Sequence, residues 1–179
     1  MKPLKPACLL AFALALLPLA PVSVQALPSD REQPIHIQSD TAERDEKQGI
    51  TTYRGDVQMD QGTLRIKADK VVIHSVDNQV SVIVATGKPA RYKQTPELNK
   101  PEVKASGNTI EYLVSEEKLH LIKNASLVQN DGTTMTGERI NYDMKDAVVK
   151  AAGQTSSTRP KRIHMVIPPK SERQKANGE

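Results

Sequence analysis

Four histidines are the side chains in this sequence best suited to bind a metal or move a proton near neutral pH. Neighbours among them, His36, His74, His120 and His164, are 38, 46 and 44 residues apart. Protein ligands of zinc usually come in pairs about two to five residues apart, and the lone cysteine, Cys8, adds no second thiolate. We therefore expect no metal site. Three of the four lie between apolar residues in alternating runs, which predicts outward positions on strands for His36, His120 and His164.

Motifs of nucleophilic catalysis and phosphate binding are equally weak. No Gly-x-Ser-x-Gly sequence occurs. Gly87-Lys88 looks like the end of a phosphate loop, but Val82 stands where its first glycine should be and Pro89 replaces the Ser or Thr. We expect a protein that is not an enzyme and needs no cofactor.

The N-terminus has the pattern of an export signal. Lys2 and Lys5 precede an apolar run from Ala7 to Ala20, and small residues at Val24 and Ala26 suit a signal peptidase. The run is shorter than the roughly 20 residues that span a bilayer, and prolines interrupt it. We expect residues 1–26 to be a cleaved signal peptide.

Composition then limits the mature chain of 153 residues. It has no Cys, Phe or Trp, so no disulfide can hold it. Its 23 basic and 21 acidic residues leave a net charge near +2, too weak to indicate nucleic-acid binding. Its 36 Val, Ile and Thr residues against 7 Leu favour β-strands, where branched side chains pack well.

An eight-residue pattern recurs four times along the mature chain. It reads apolar, any, small, any, any, apolar, any, apolar or Tyr, and the copies are Ile37–Arg44, Ile66–Ile73, Ala105–Tyr112 and Met135–Tyr142. A polar turn and an alternating run follow each copy, which predicts repeated antiparallel hairpins. The two apolar pairs of a copy have opposite parity, so a bulge or corner at the small residue must bring them to one face.

Repeated hairpins with one apolar face must bury that face. We predict an all-β fold, an open, V-shaped β-jelly roll over residues 27–169, with a longer loop from Gln94 to Pro101 between its halves. The core candidates are slim aliphatics and four tyrosines, which could leave room inside for a flexible acyl chain or could pack tightly as an ordinary sandwich. The basic residues 170–179 lack apolar periodicity and should be disordered.

Several segments, in matching order, resemble one known family: Gln33–Asp40, Gly55–Val57, Gln61–Val72, Gly87–Ala90, Tyr112, Gly137–Tyr142 and Arg162–Pro168. They are similar to the lipopolysaccharide-transport bridge proteins of the LptA/OstA family. The resemblance implies periplasmic jelly rolls that stack head to tail. Their shared groove would carry lipopolysaccharide from an inner-membrane extraction complex to an outer-membrane assembly complex, through the jelly-roll domains of both.

The resemblance also implies lipid contacts at Ile35, Tyr92, Tyr112 and Val114. Strand parity and the repeat extend this set to Val71, Ile73, Ile110, Ile140 and Tyr142. Each of these could instead be an ordinary core residue. Basic side chains at Arg31, Lys67, Arg91 and Lys93 could meet phosphate or sugar acids at the groove margin, or simply form a solvated face.

Two edge segments are candidates for pairing between copies, because unpaired strand edges are templates for another strand. One comprises Pro34, Ile35, His36 and Ile37, and the other Ile163, His164, Met165, Val166 and Ile167. They could also be capped edges. Two rival functions stay open: a soluble periplasmic module for another lipid or glycan, and a structural filament protein without a ligand.

Overall fold

Ten strands and one short 3₁₀ turn, Asp30–Glu32, form the part of the chain that the computed structural model describes, residues 29–95, 102–154, 160 and 162–169. The predicted signal peptide, most of the Gln94–Pro101 loop and the basic tail lie outside these residues. The strands are β1 His36–Gln38, β2 Thr41–Asp45, β3 Ile50–Gln61, β4 Leu64–Val76, β5 Gln79–Gln94, β6 Val103–Leu113, β7 Lys118–Val128, β8 Thr134–Asp143, β9 Val148–Ala152 and β10 His164–Val166.

All pairings are antiparallel, and consecutive long strands from β3 to β8 are neighbours. Two short strands share each outer edge: β1 and β2 pair with β3, while β9 and β10 pair with β8. The sheet is therefore eight strand positions wide. This confirms the predicted all-β class and the repeated hairpins. No helix in the described ranges is long and apolar enough to cross a membrane.

The long strands bend at positions that lie side by side across the sheet. The registers shift around Gly55 in β3, Ala68 in β4, Gly87 in β5, Gly107 in β6 and Asn124 in β7. In β4, β5, β6 and β8 the irregularity reverses which side of the strand faces inward, whereas two extra residues in β3 and β7 leave it unchanged. The repeated pattern contains this bend, and its apolar pairs reach the same face as predicted.

The line of bends divides the sheet into two limbs. Limb A contains β1, β10 and residues 57–61, 64–68, 90–94, 103–107, 125–128 and 134–137. Limb B contains β2, β9 and residues 50–54, 70–76, 79–86, 109–113, 118–122 and 139–143. The rings of Tyr92 in limb A and Tyr112 in limb B meet edge to face, 5.7 Å between centroids. The two limbs thus close on each other as a V, an open β-jelly roll, with its apex at the bends and its mouth at the limb tips.

Candidate functional site

The inner faces of the two limbs form one apolar interior. Seven of the nine predicted lipid contacts are at most 8% exposed there: Val71, Ile73, Tyr92, Ile110, Tyr112, Ile140 and Tyr142. Ile35 and Val114 are half-buried and pack against the same cluster. The structure thus brings all nine side chains together, although they lie up to 107 residues apart in the sequence.

Other members of the interior escaped the sequence prediction. They are inward-facing neighbours on the same strands, among them Met59, Leu64, Ile66, Leu119, Leu121 and Leu127, each at most 2% exposed. Strict alternation along β3, β4 and β7 was the signal that could have found them.

A cavity of about 910 Å³ lies beside β1 and β2, with Ile35 and Ile37 on one side and Thr51, Tyr53 and Ile73 on the other. This volume falls within the range of about 300–1,000 Å³ that is typical of ligand pockets. Its rim is polar and includes Arg44, Glu46 and Lys47, so the entrance combines an apolar floor with charged borders.

Residues 29–33, here called the strap, cross the mouth of the V and tie the two limb tips together. On limb A, the Asp30 carboxylate accepts hydrogen bonds from the Thr63 amide at 2.6 Å, the Thr63 hydroxyl at 2.6 Å and Gln94 Nε2 at 2.8 Å. On the limb B side, Arg31 forms a 2.6 Å ion pair with Glu117. The strap therefore covers the mouth beside Tyr112 and Gln94, leaving a pocket of about 200 Å³.

Burial dominates the electrostatics of the two central tyrosines. It raises the pKa of Tyr92 well above its usual value, and the nearby Tyr112 and Asp30 add to the rise. Burial also raises the pKa of Tyr112, although Arg31 opposes that rise. The Tyr92 hydroxyl donates to the Gln94 side-chain oxygen. Both phenols therefore stay neutral at physiological pH.

The two outer edges of the sheet carry the predicted pairing segments. The segment Pro34–Ile37 overlaps the start of β1, and the segment Ile163–Ile167 contains β10 at the opposite edge. Ile163, Met165, Val166 and Ile167 are each about half exposed, between 45% and 58%. His36, His120 and His164 point outward as predicted, and His120 Nδ1 lies 3.5 Å from Glu111.

Three of the four basic residues occupy a solvated face, the second of the two alternatives for them. Lys67, Arg91 and Lys93 lie on the outer face of limb A. The reason is alternation, because each flanks an inward residue such as Ile66 or Tyr92. Only Arg31 lies at the mouth, in the strap. Across the described ranges, no three His, Cys, Asp or Glu side chains gather closely enough to hold a metal.

Fold and site together define a class of protein, an open β-jelly roll with an apolar interior and two short strands at each outer edge. Residues 36–148 match the family described as LptA/(LptD N-terminal domain) LPS transport protein. This chain therefore belongs to that family.

Individual relatives agree with this assignment. The chain is 44% identical over 154 residues to the lipopolysaccharide export system protein LptH of Pseudomonas aeruginosa, covering 83% of this chain and 87% of that protein. It is 33% identical over 160 residues to the lipopolysaccharide export system protein LptA of Escherichia coli K12, covering 88% and 83%. The crystal structure of LptH, described as a periplasmic component of the lipopolysaccharide transport device, superposes with a TM-score of 0.70 over 79% of this chain and all of that one.

Proposed function

We propose that this protein binds lipopolysaccharide in its interior and carries it across the periplasm as part of a head-to-tail bridge between the inner-membrane and outer-membrane transport complexes. In this proposal residues 1–26 direct export and are removed, and residues 27–169 form the carrier domain. The relatives support the substrate, since they are named lipopolysaccharide export proteins.

One observation carries the proposal: the inner apolar face runs from one edge of the sheet to the other, and no strand of the described residues closes it at either edge. Following the pairing register across limb B, one inward row reads Ala42, Tyr53, Val71, Ala85, Ile110, Leu121, Ile140 and Ala151. The matching row of limb A runs from Ile37 through Tyr92 to Met165. In stacked copies these rows would form one continuous apolar surface, here called the track.

The track suits acyl chains because each CH₂ that leaves water gains roughly 0.8 kcal/mol. An acyl chain would enter most easily at the 910 Å³ cavity beside Ile35 and Ile37, which needs no displacement of core side chains. Further along, between Tyr92 and Tyr112, the limbs are packed and would have to part.

The strand directions support head-to-tail contact. Because strand direction alternates across the eight positions, β2 and β9 at the two edges run in opposite directions. A copy added by simple repetition therefore meets its neighbour with antiparallel edges, the pairing used throughout the sheet. In the same register, the inward Met165 of one copy would lie opposite Ile37 of the next.

Site-specific photo-crosslinking tests the substrate and the route together. A photoreactive amino acid would replace inward Tyr112, and separately exposed Glu116 as the matched control, in cells that make lipopolysaccharide. We expect a lipid adduct at Tyr112 and none at Glu116. A folded protein without an adduct at Tyr112, despite a crosslinker that reacts elsewhere, would point to a filament without ligand or to a different ligand.

A further inference from the structure

Five basic side chains cluster on the outer face of limb A, on three adjacent strands: Arg65 and Lys67 in β4, Arg91 and Lys93 in β5, and Lys104 in β6. The register sets like charges directly opposite each other three times. The pairs are Arg65 with Lys93, Lys67 with Arg91, and Lys93 with Lys104. Neighbouring strands are only about 4.8 Å apart, so these charges cannot avoid one another.

Directly opposed like charges destabilise a sheet, and the chain compensates for only part of that cost. Glu102 binds both Lys93 at 2.6 Å and Lys104 at 2.9 Å, and Asp60 binds Arg65. Among the described residues, no carboxylate forms an ion pair with Lys67 or Arg91. Within the described residues, a cationic pair without an acidic partner therefore remains at the end of the cluster beside the bends.

The same two strands look different beyond their bends. In limb B, β4 and β5 present Val72 and Val84 opposite each other on the outer face. Limb B has one opposed cationic pair on this face, Arg54 with Lys70, and there Arg54 also lies 3.7 Å from Glu43. The opposed cations are therefore concentrated in limb A. A feature that costs stability locally and is concentrated on one face indicates a binding surface for an anion.

The surroundings indicate which kind of anion. The basic side chains enclose a cavity of about 390 Å³ whose wall includes Ser106 and Ser126. Gln58 lies opposite Lys67, and Ser106 opposite Arg91. These amide and hydroxyl groups can bind sugar hydroxyls beside a phosphate. The large exposed apolar side chains of the described ranges lie outside this cavity wall, which argues against insertion into a membrane.

One end of the cluster lies next to the mouth, while Lys67 and Arg91 lie at its other end, beside the bends. Lys93 directly precedes Gln94, whose side chain binds Asp30 of the strap. A saccharide joined to acyl chains in the interior would emerge at this limb tip, within reach of the cationic row. We propose that the outer face of limb A binds the phosphorylated saccharide of the lipid that the interior carries. This inference rests on the proposed function, because it assumes that the same molecule occupies both places.

Binding of deacylated lipopolysaccharide, a soluble phosphorylated saccharide, to the whole mature chain tests the inference by calorimetry. The test variant is the double substitution Lys67→Gln with Arg91→Gln. The control is Lys70→Gln with Lys145→Gln, which removes the same charge from limb B and an exposed turn. We expect the test variant to bind at least tenfold more weakly, which corresponds to about 1.4 kcal/mol, and the control less than about twofold.

Three results would overturn the inference: equal binding of the enzymatically dephosphorylated saccharide, unchanged binding by the test variant, or binding of inorganic phosphate as tight as that of the saccharide. Sedimentation with phosphatidylglycerol vesicles, lost in the test variant while the saccharide fails to bind, would assign the face to a membrane surface instead. The Tyr112 crosslink separates the two proposals. If it persists while the saccharide assay fails, only the outer-face inference is lost.

Discussion

At the scale of the residue, side-chain direction decides what each position does. Val71 and Val72 are chemically identical neighbours in β4, yet Val71 is fully buried in the interior and Val72 is half-buried on the outer face. Strand parity and the repeat could extend the inward set that the resemblance implies, because bend and alternation are local properties. It could not predict the strap contacts, since Asp30 meets partners 33 and 64 residues away.

The valine pair gives a first prediction. Val71→Thr keeps the shape but buries a hydroxyl in an apolar interior, so we expect a loss of about 1–3 kcal/mol in the free energy of unfolding. Val72→Thr should cost less than about 0.5 kcal/mol, because its hydroxyl can reach water. Urea denaturation of both variants measures the difference. Equal losses would contradict the assignment of inner and outer faces.

The buried phenols predict a loss of stability in alkali. The pKa of Tyr92 is raised in the folded state, so above the unfolded value of about 10 the unfolded chain releases a proton that the folded chain keeps. The free energy of unfolding should therefore fall as the pH rises above about 10, by up to roughly 1.4 kcal/mol per pH unit for each such group.

The check is urea denaturation at about pH 7 and about pH 11. Tyr92→Phe should show a shallower alkaline loss than the wild-type chain, with Tyr112 still contributing. Tyr53→Phe, which leaves Tyr92 intact, serves as the control and should keep the full loss. The idea fails if both variants lose stability in parallel with the wild type.

At the scale of the element, the aligned bends make one long sheet into two limbs. The sequence predicted a bend in every repeat because small residues stand at a fixed place in the pattern. It did not predict that two short strands share each edge, because that depends on how far β3 and β8 extend beyond the bend. Chain length between turns does not reveal this.

Two glycines at the bends predict different tolerance to substitution. Gly55 has φ +83°, and a Cβ there would overlap the Asp40 carboxylate. Gly107 lacks a positive φ, and a Cβ would come no closer than 3.2 Å to the Thr109 carbonyl oxygen. We expect Gly55→Ala to cost about 2 kcal/mol or more and Gly107→Ala less than half of that. Thermal unfolding compares them; the reverse order would contradict the geometry of the bend.

The strap predicts a local rather than a global effect. Asp30→Ala removes three hydrogen bonds to limb A, so amide exchange within residues 29–33 should accelerate at least tenfold, which corresponds to about 1.4 kcal/mol. Exchange in β4 to β7 should change little. Asp69→Ala, at an exposed bend position, is the control and should leave the strap protected. Unchanged exchange in the strap would show that Asp30 does not hold it.

At the scale of the whole molecule, the pairing registers connect the two edges residue by residue. The outward row through limb B begins at Glu43 and ends at Lys150. In a head-to-tail stack that keeps this register, Lys150 of one copy lies opposite Glu43 of the next. The sequence predicted two edge segments able to pair. It could not predict that Lys150 would lie opposite Glu43, because that follows only from the pairing registers of all the strands between them.

This junction predicts a charge-reversal experiment. Lys150→Glu and Glu43→Lys should each weaken self-association about fivefold or more, because each places like charges opposite one another. Combining both substitutions in one chain should restore association. Light scattering over a concentration series measures it, with Lys145→Glu in an exposed turn as the control. A double variant as weak as the single ones would exclude this register.

The even count of strand positions has a consequence for size. Because the last strand of one copy presents to the next copy the same kind of edge that every internal strand presents to its neighbour, each junction repeats the one before it. A twentieth copy would therefore add to the stack through the same edge as a second copy. In a bridge built this way, the sheet itself does not limit the number of copies. The length of the bridge must then be set by the molecules that bind its first and last open edges.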